Sequence, residues 1–273
     1  SGPDAKVFLQ NILSNDINKV THSNTIYSCI FTPQGKYLFE FFLLKNKLGY
    51  FLDCESELTE EIISYLSKYK LRASVKIEDF SNSYVVGIIN LEKFKEIQIS
   101  ARSKNSTIIF RESFVFIDPR NPNLGARIVS NLEKLYLTIK KLNLKIIDSL
   151  VYLDIAHSLG IPVKGTKFLK DKLFGLEANL EELNAIDFRK GCYIGQENTA
   201  RMKLKNKIRR KLLPITTSKE LLVGDEILFN DKIVGKVLIA KPRSFALISL
   251  FNPDFNLFKN QELKVSNLKI KII

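Results

Sequence analysis

Apolar positions along the chain fall into two regimes, helical spacing and short runs cut by turn residues. Residues 5–15 place Phe8, Leu9, Ile12 and Leu13 on one helical face, ending at the polar break Ser14-Asn15-Asp16. The run Ile26–Phe31 meets Thr32-Pro33-Gln34-Gly35 and resumes over 37–44, which predicts a hairpin whose type I turn is closed by a left-handed glycine. Gly49–Asp53 predicts a further strand. Leu58, Ile62, Leu66 and Tyr69 predict a helix over 57–70, with Ser56 as its cap and Glu57, Glu60 and Glu61 complementing its N-terminus. Residues 75–80, 84–89 and 107–117 predict strands, an order typical of an α+β sandwich. After the turn Asp118-Pro119-Arg120-Asn121-Pro122, helices are predicted over 124–142 and 145–159. From residue 212 the runs 213–216, 226–229, 232–239, 244–249 and 263–272 predict a small all-β barrel, punctuated by Asn230-Asp231 and Lys241-Pro242-Arg243. No internal repeat stands out.

The 273 residues, 45% of them hydrophobic and 26% charged, suffice for a substantial core and argue against disorder. No run of 18 apolar residues occurs, so no spanning helix is expected and no membrane partner is assigned. The opening Ser1-Gly2-Pro3 carries no basic-then-apolar leader pattern and reads as a processing scar. Cys29, Cys54 and Cys192 are far apart, with no C-x-x-C pair or Cys/His cluster, so no stably bound metal is expected. Three scattered cysteines point to a reducing cytoplasm. A net charge of +13 should draw phosphates, polycarboxylates or nucleic acid.

Nucleotide-loop, nucleophile-elbow and zincin motifs are missing. Of the two histidines, His157 reads as a core or helix-end residue and His22 as solvated. The segment 189–201, Arg-Lys-Gly-Cys-Tyr-Ile-Gly-Gln-Glu-Asn-Thr-Ala-Arg, is different. Its glycines let backbone approach a ligand closely, its two cations favour a thiolate at Cys192, and Gln196 and Glu197 can read a heterocycle edge. The bland reading of the same residues is a tight turn with a buried Cys192. Residues 201–211 hold seven Lys or Arg and no acid. Lys203, Lys205, Lys207, Arg209 and Lys211 alternate as one face of a strand would present them, either as a platform for anions or as a charged strand edge. Cys29 and Cys54, in apolar stretches, read as inert.

The run "KGCYIGQE", preceded by "NAIDF" and followed by "NTAR", resembles the signature of the YgfZ-type folate-binding proteins, relatives of the glycine-cleavage T-protein, an aminomethyltransferase. "FLQNILSNDI", "FTPQGKYLFEFFL", "DPRNPNLGAR", "LGIPVKG" and "EANLEELNAIDF" resemble other family segments in the expected order, so the likeness spans essentially the whole chain. It implies an α+β, three-lobed aminomethyltransferase-like fold: a folate-binding region over 4–205, with 30–110 forming one lobe, and a C-terminal β-barrel over 206–273. It implies tetrahydrofolate, in a polyglutamylated form if the basic run meets its tail, held by Asn15, Asp16, Lys190, Gly191, Cys192, Tyr193, Gln196, Glu197 and Arg201. Arg120 and Arg127 match the D-P-R element. The implied role is an accessory factor in iron–sulfur cluster assembly or repair, with carrier or client proteins as partners, tRNA-modifying radical enzymes among them. Cys192 is its candidate working thiol. Two alternatives stand beside it. One is a folate-dependent aminomethyl transferase using Glu40, although the family's acid pair is reduced here to Phe39-Glu40 and its ring-binding glutamate falls on Ser158. The other is an RNA-binding module contacting nucleic acid through 201–211.

Overall fold

The structure, a computed structural model, describes residues 1–273. It is α+β with a closed C-terminal barrel, as the sequence predicts, and divides into two compact units through which the chain passes repeatedly. Unit 1 comprises Ser1–Ile30, Phe39–Ile147 and Glu182–Ile194; unit 2 comprises Phe31–Leu38, Asp148–Glu181 and Gly195–Ile273. No helix is long and apolar enough to cross a membrane.

Unit 1 opens with α1 (Ala5–Ile12), which buries Ala5, Phe8, Leu9 and Ile12. A three-stranded sheet follows, β1 (Ile26–Phe31), β2 (Tyr37–Asn46) and β3 (Gly49–Asp53), in that order. All six residues of β1 are buried, which is why its sequence, Ser28 apart, is apolar rather than alternating. Next comes α2 (Thr59–Lys70), burying Ile62 and Leu66. Ser56 begins a 3₁₀ turn and is not the cap of this helix.

A second sheet is built from β4 (Val85–Ile89), β5 (Thr107–Phe110), β6 (Ser113–Ile117) and β7 (Ala126–Ser130), ordered β4-β7-β6-β5 and antiparallel throughout. Helices α3 (Leu91–Ser100) and α4 (Leu132–Lys141) contribute Phe94, Ile97 and Leu135 to a core with Ile108, Val115 and Ile128. Both helices start with the same tetrapeptide, Asn-Leu-Glu-Lys, directly after a strand. Asn90 accepts the Lys93 N–H at 2.9 Å and Asn131 accepts the Lys134 N–H at 2.8 Å, two N-caps of one design.

Three sequence expectations are corrected here. Residues 75–80 form no strand: the Lys76 N–H donates to Ser1 O at 2.9 Å and the Ser74 N–H to Asp4 Oδ2 at 2.7 Å, so N-terminal residues satisfy this backbone. The stretch 107–117 is a hairpin rather than one strand. Residues 126–130, expected as helix, are a central strand flanked by β4 and β6.

In unit 2 the hairpin tip has Gly35 at φ +83 and its N–H donates to Thr32 O at 2.8 Å, the predicted left-handed closure. Helices α5 (Ser149–Ser158) and α6 (Gln196–Leu204) precede the barrel. Its strands are β8 (Arg210–Thr217), β9 (Glu226–Phe229), β10 (Lys232–Ile239), β11 (Ser244–Ser249), β12 (Leu263–Val265) and β13 (Leu268–Ile272), closed in the order β10-β11-β8-β13-β12-β9. Asn230 and Asp231 both have positive φ, as a two-residue hairpin turn requires. Ile227, Val237, Ile248 and Phe258 lie in the barrel core. His157 is fully buried, its Nε2 3.0 Å from Val163 O and its Nδ1 3.1 Å from Arg243 O, the core residue expected of it.

Candidate functional site

A helix ends with carbonyls that have no partner inside it. At the end of α1, segment 190–194 takes three such carbonyls, those of Gln10, Asn11 and the capping residue Leu13. The Lys190 Nζ donates to Gln10 O at 2.6 Å and also to Leu13 O, while the Ile194 N–H donates to Asn11 O at 3.2 Å. The ammonium also lies 4.8 Å from the centre of the Tyr193 ring. A cation at a helix C-terminus is favoured by the helix dipole as well as by these bonds. Lys190 is 7% exposed, and burial pulls its ionisation down to about 8, with Asp16 and Asp187 acting in the opposite direction.

This segment is fixed from its other end too. The Asp187 N–H donates to Ser14 O at 3.0 Å, and its carboxylate accepts from the Arg189 N–H at 2.7 Å and meets Lys19 Nζ at 2.8 Å. Burial pushes the Asp187 carboxyl up, yet Lys19 and the Arg189 and Lys190 N–H groups together hold it below its ordinary value. The Ser14 hydroxyl donates to Ala185 O at 2.7 Å and accepts the Cys29 N–H at 3.0 Å. Asn15 is buried, its amide donating to Tyr27 O at 2.8 Å and Asn184 O at 2.9 Å, while its Oδ1 accepts the Asp16 N–H. Asp16 accepts from Gln10 Nε2 and the Asn18 N–H, each at 3.0 Å; burial opposes ionisation, but these bonds hold it below the usual carboxylate range. Asn15, Asp16 and Lys190 are therefore brought together, and the polar groups named here bond protein atoms.

Between the anchors Lys190 and Tyr193, the backbone turns outward. Tyr193 is buried, whereas Gly191 and Cys192 are exposed. A Cβ placed on Gly191 would meet nothing within 4 Å. The reading of Cys192 as a small buried hydrophobe is thus corrected: it is the one exposed thiol of the three. Cys29 is buried, and burial, with the Glu40 carboxylate adding to it, pushes its thiol far up; Cys54 is half-buried and pushed up to about 11, chiefly by burial. Glu40 lies half-buried on β2.

The remaining signature residues belong to unit 2. Gly195 has φ +80 at the start of α6, and a Cβ there would stand 2.4 Å from Thr32 O and 2.7 Å from Phe31 Cβ. Its close approach is to the hairpin. The Asn198 Nδ2 donates to Gln34 O at 2.7 Å, and Arg201 donates to Asn198. Gln196 is half-buried, and Glu197 is exposed in the first turn of α6, where a carboxylate suits the helix dipole. The basic stripe is not one face of a strand: residues 201–204 complete α6 and β8 begins at Arg210, so the alternation carries no single face. Lys203 pairs with Glu181 at 2.6 Å, while Lys205, Lys207 and Arg209 are exposed.

Ser14, Asn184 and Asp187 lock the loop, and in the sequence only the acid of "NAIDF" hints at this. Arg120 is buried in a two-pronged bond to Asp118, at 3.0 and 2.7 Å, and Arg127 bonds Asp53 at 2.9 Å, both guanidinium groups lying over the Phe42 ring. The Ser158 hydroxyl donates to Ile155 O at 2.7 Å, so this position offers no carboxylate.

No known protein-family profile matches the chain. It is 31% identical over 234 residues to the mitochondrial iron–sulfur cluster assembly factor IBA57 homolog of Mycosarcoma maydis, covering 79% of this chain and 54% of that protein. To the mitochondrial human factor IBA57 it is 26% identical over 230 residues, covering 78% of this chain and 62% of that one. The chain thus spans little more than half the length of these relatives. Its fold matches the glycine cleavage system aminomethyltransferase T of Bartonella henselae with a TM-score of 0.73 and 12% identity, over 99% of this chain and 80% of the other. The expected aminomethyltransferase-like fold is present. The expectation of a cytoplasmic protein is corrected, since the names of these relatives are mitochondrial.

Proposed function

We propose that this chain, a homologue of the IBA57 iron–sulfur cluster assembly factors carrying the aminomethyltransferase fold, is a mitochondrial, folate-binding accessory factor that assists cluster delivery or repair in client enzymes. The observation that carries this reading is the exposed Cys192 thiol on a loop fixed at both ends. A thiolate binds iron, and clusters take about four protein ligands. No group of three or more His, Cys, Asp or Glu side chains converges here. One thiol supplies one ligand, so Cys192 would contact a cluster held jointly with a carrier or client protein, then release it. The fixed loop keeps the thiol outward at no further ordering cost.

The side chains present fit the anionic half of a folate. Arg201, Lys205, Lys207 and Arg209 are exposed in unit 2 within a stretch without acids, suited to the carboxylates of a glutamyl tail. For the heterocycle edge, Gln196 and Glu197 offer donors and acceptors in place of the carboxylate missing at Ser158. A reduced folate, when bound, supplies an electron-rich pterin able to carry one-carbon units. Titration with tetrahydrofolate and its pentaglutamate should show tighter binding of the longer tail, weakened by Lys205→Glu/Lys207→Glu. Absence of heat or fluorescence change with either removes folate from the proposal.

The cluster role is tested in cells that lack their own factor and carry this chain. Cys192→Ser and Cys192→Ala should fold normally and fail to restore cluster-dependent enzyme activity. Full restoration by both variants would remove the thiol, and the proposed mechanism with it.

A further inference from the structure

On α4 the inward side follows the usual rule: Leu135 packs against the core of the second sheet, as does Leu142 just beyond the helix. The outward side does not. Tyr136 and Leu137 are exposed there, and the loop that follows carries Ile146 and Ile147, 78% and 63% exposed. Between and beside them stand the exposed Lys140, Lys141 and Lys145, with the Lys140 ammonium 4.5 Å from the centre of the Tyr136 ring. Isolated exposed apolar residues are ordinary, but a run of them within one continuous stretch of unit 1, rimmed by cations, marks a docking surface.

We infer that residues 136–147 dock on an anionic lipid bilayer, peripherally and reversibly. Three features fix the occupant. Aliphatic side chains paired with lysines, and a tyrosine at the boundary, reproduce the layering of a bilayer interface: acyl region for Ile146 and Ile147, boundary for Tyr136, headgroups for the ammonium groups. The cations require a negatively charged surface, and lysines close to such a surface each strengthen binding. A second copy of this chain is disfavoured, because each copy carries +13. Nucleic acid would use the lysines but leaves the two isoleucines without a role, since aliphatic groups offer no stacking face. Surface docking needs no membrane-spanning helix.

The test is co-sedimentation of the purified chain with vesicles of phosphatidylcholine alone and of phosphatidylcholine containing about a third phosphatidylglycerol. Binding to the anionic vesicles should exceed binding to neutral ones by about tenfold, and should fall in ~0.5 M salt. Ile146→Asp/Ile147→Asp should lower anionic binding by about tenfold with little change in melting temperature, since both side chains are mostly exposed. Lys140→Glu/Lys141→Glu/Lys145→Glu should abolish the preference for anionic lipid. Failure of the unaltered chain to prefer anionic vesicles overturns the inference. So does equal binding by the isoleucine variant, which would leave a purely electrostatic surface open to any polyanion.

Discussion

Replacing Lys190 by Met keeps the side-chain length and removes the ammonium that caps α1. Two carbonyls, of half-buried Gln10 and buried Leu13, then lose their donor. Each orphaned acceptor costs about 1–3 kcal/mol. Removing a buried charge offsets part of this, because burial already draws the Lys190 ionisation down to about 8. The balance is a loss of about 2 kcal/mol, less than the gross loss of two bonds and well above that of a surface lysine. Urea unfolding followed by tyrosine fluorescence suits a chain with 9 Tyr and no Trp, and the midpoint should fall with little change in slope. The same substitution should loosen the loop itself. The Ile194 amide, bonded to Asn11 O, should exchange its hydrogen at least about tenfold faster in the variant. An unchanged midpoint together with unchanged exchange at Ile194 would refute the view that this lysine fixes the signature loop.

Gly195→Ala should be more damaging, about 3 kcal/mol or more, because φ is +80 and the new Cβ would stand 2.4 Å from Thr32 O; a melting curve close to wild type would contradict it. Thr138 is fully buried on α4 and its hydroxyl has no hydrogen-bond partner, so Thr138→Val should stabilise by about 1 kcal/mol in the same urea assay. Asp187 is held below its ordinary 3.8, so the unfolded chain takes up its proton first as pH falls. Its contribution is therefore complete above pH 3.8 and disappears as pH drops through the lower folded value. Asp187→Asn should be less stable than wild type at neutral pH, and the difference should close under acid; a constant gap across that window would argue against the Lys19 pairing as its source.

Periodicity recovers the barrel well, because strands such as 226–229 and 232–239 are bounded by turn residues with positive φ. It fails where the decisive partner is distant. Residues 75–80 have a strand-like composition but bond Ser1, and 126–130 become a strand because neighbours lie on both sides. The repeated Asn-Leu-Glu-Lys at 90–93 and 131–134 was a legible signal for two helix starts, and only the second falls within a predicted helix. At the site, the signature could be located from sequence, but the use of each residue could not. The lysine before Cys192 turns inward to carbonyls of a helix almost 180 positions earlier, a contact that spacing does not encode. The two glycines serve different ends: Gly195 permits contact with the hairpin, and Gly191 faces open space. The likeness of Lys203–Lys211 to a strand face was broken by α6, whose start is set by the left-handed Gly195.

The pinned loop holds Cys192 outside, while Cys29 is buried and Cys54 half-buried. Brief treatment of the folded chain with iodoacetamide, followed by peptide mass spectrometry, reads this directly. Rapid alkylation of Cys192 is expected, with slower reaction at half-buried Cys54 and modification of Cys29 only after unfolding. A folded protein in which Cys192 resists the reagent while Cys29 or Cys54 reacts would contradict it.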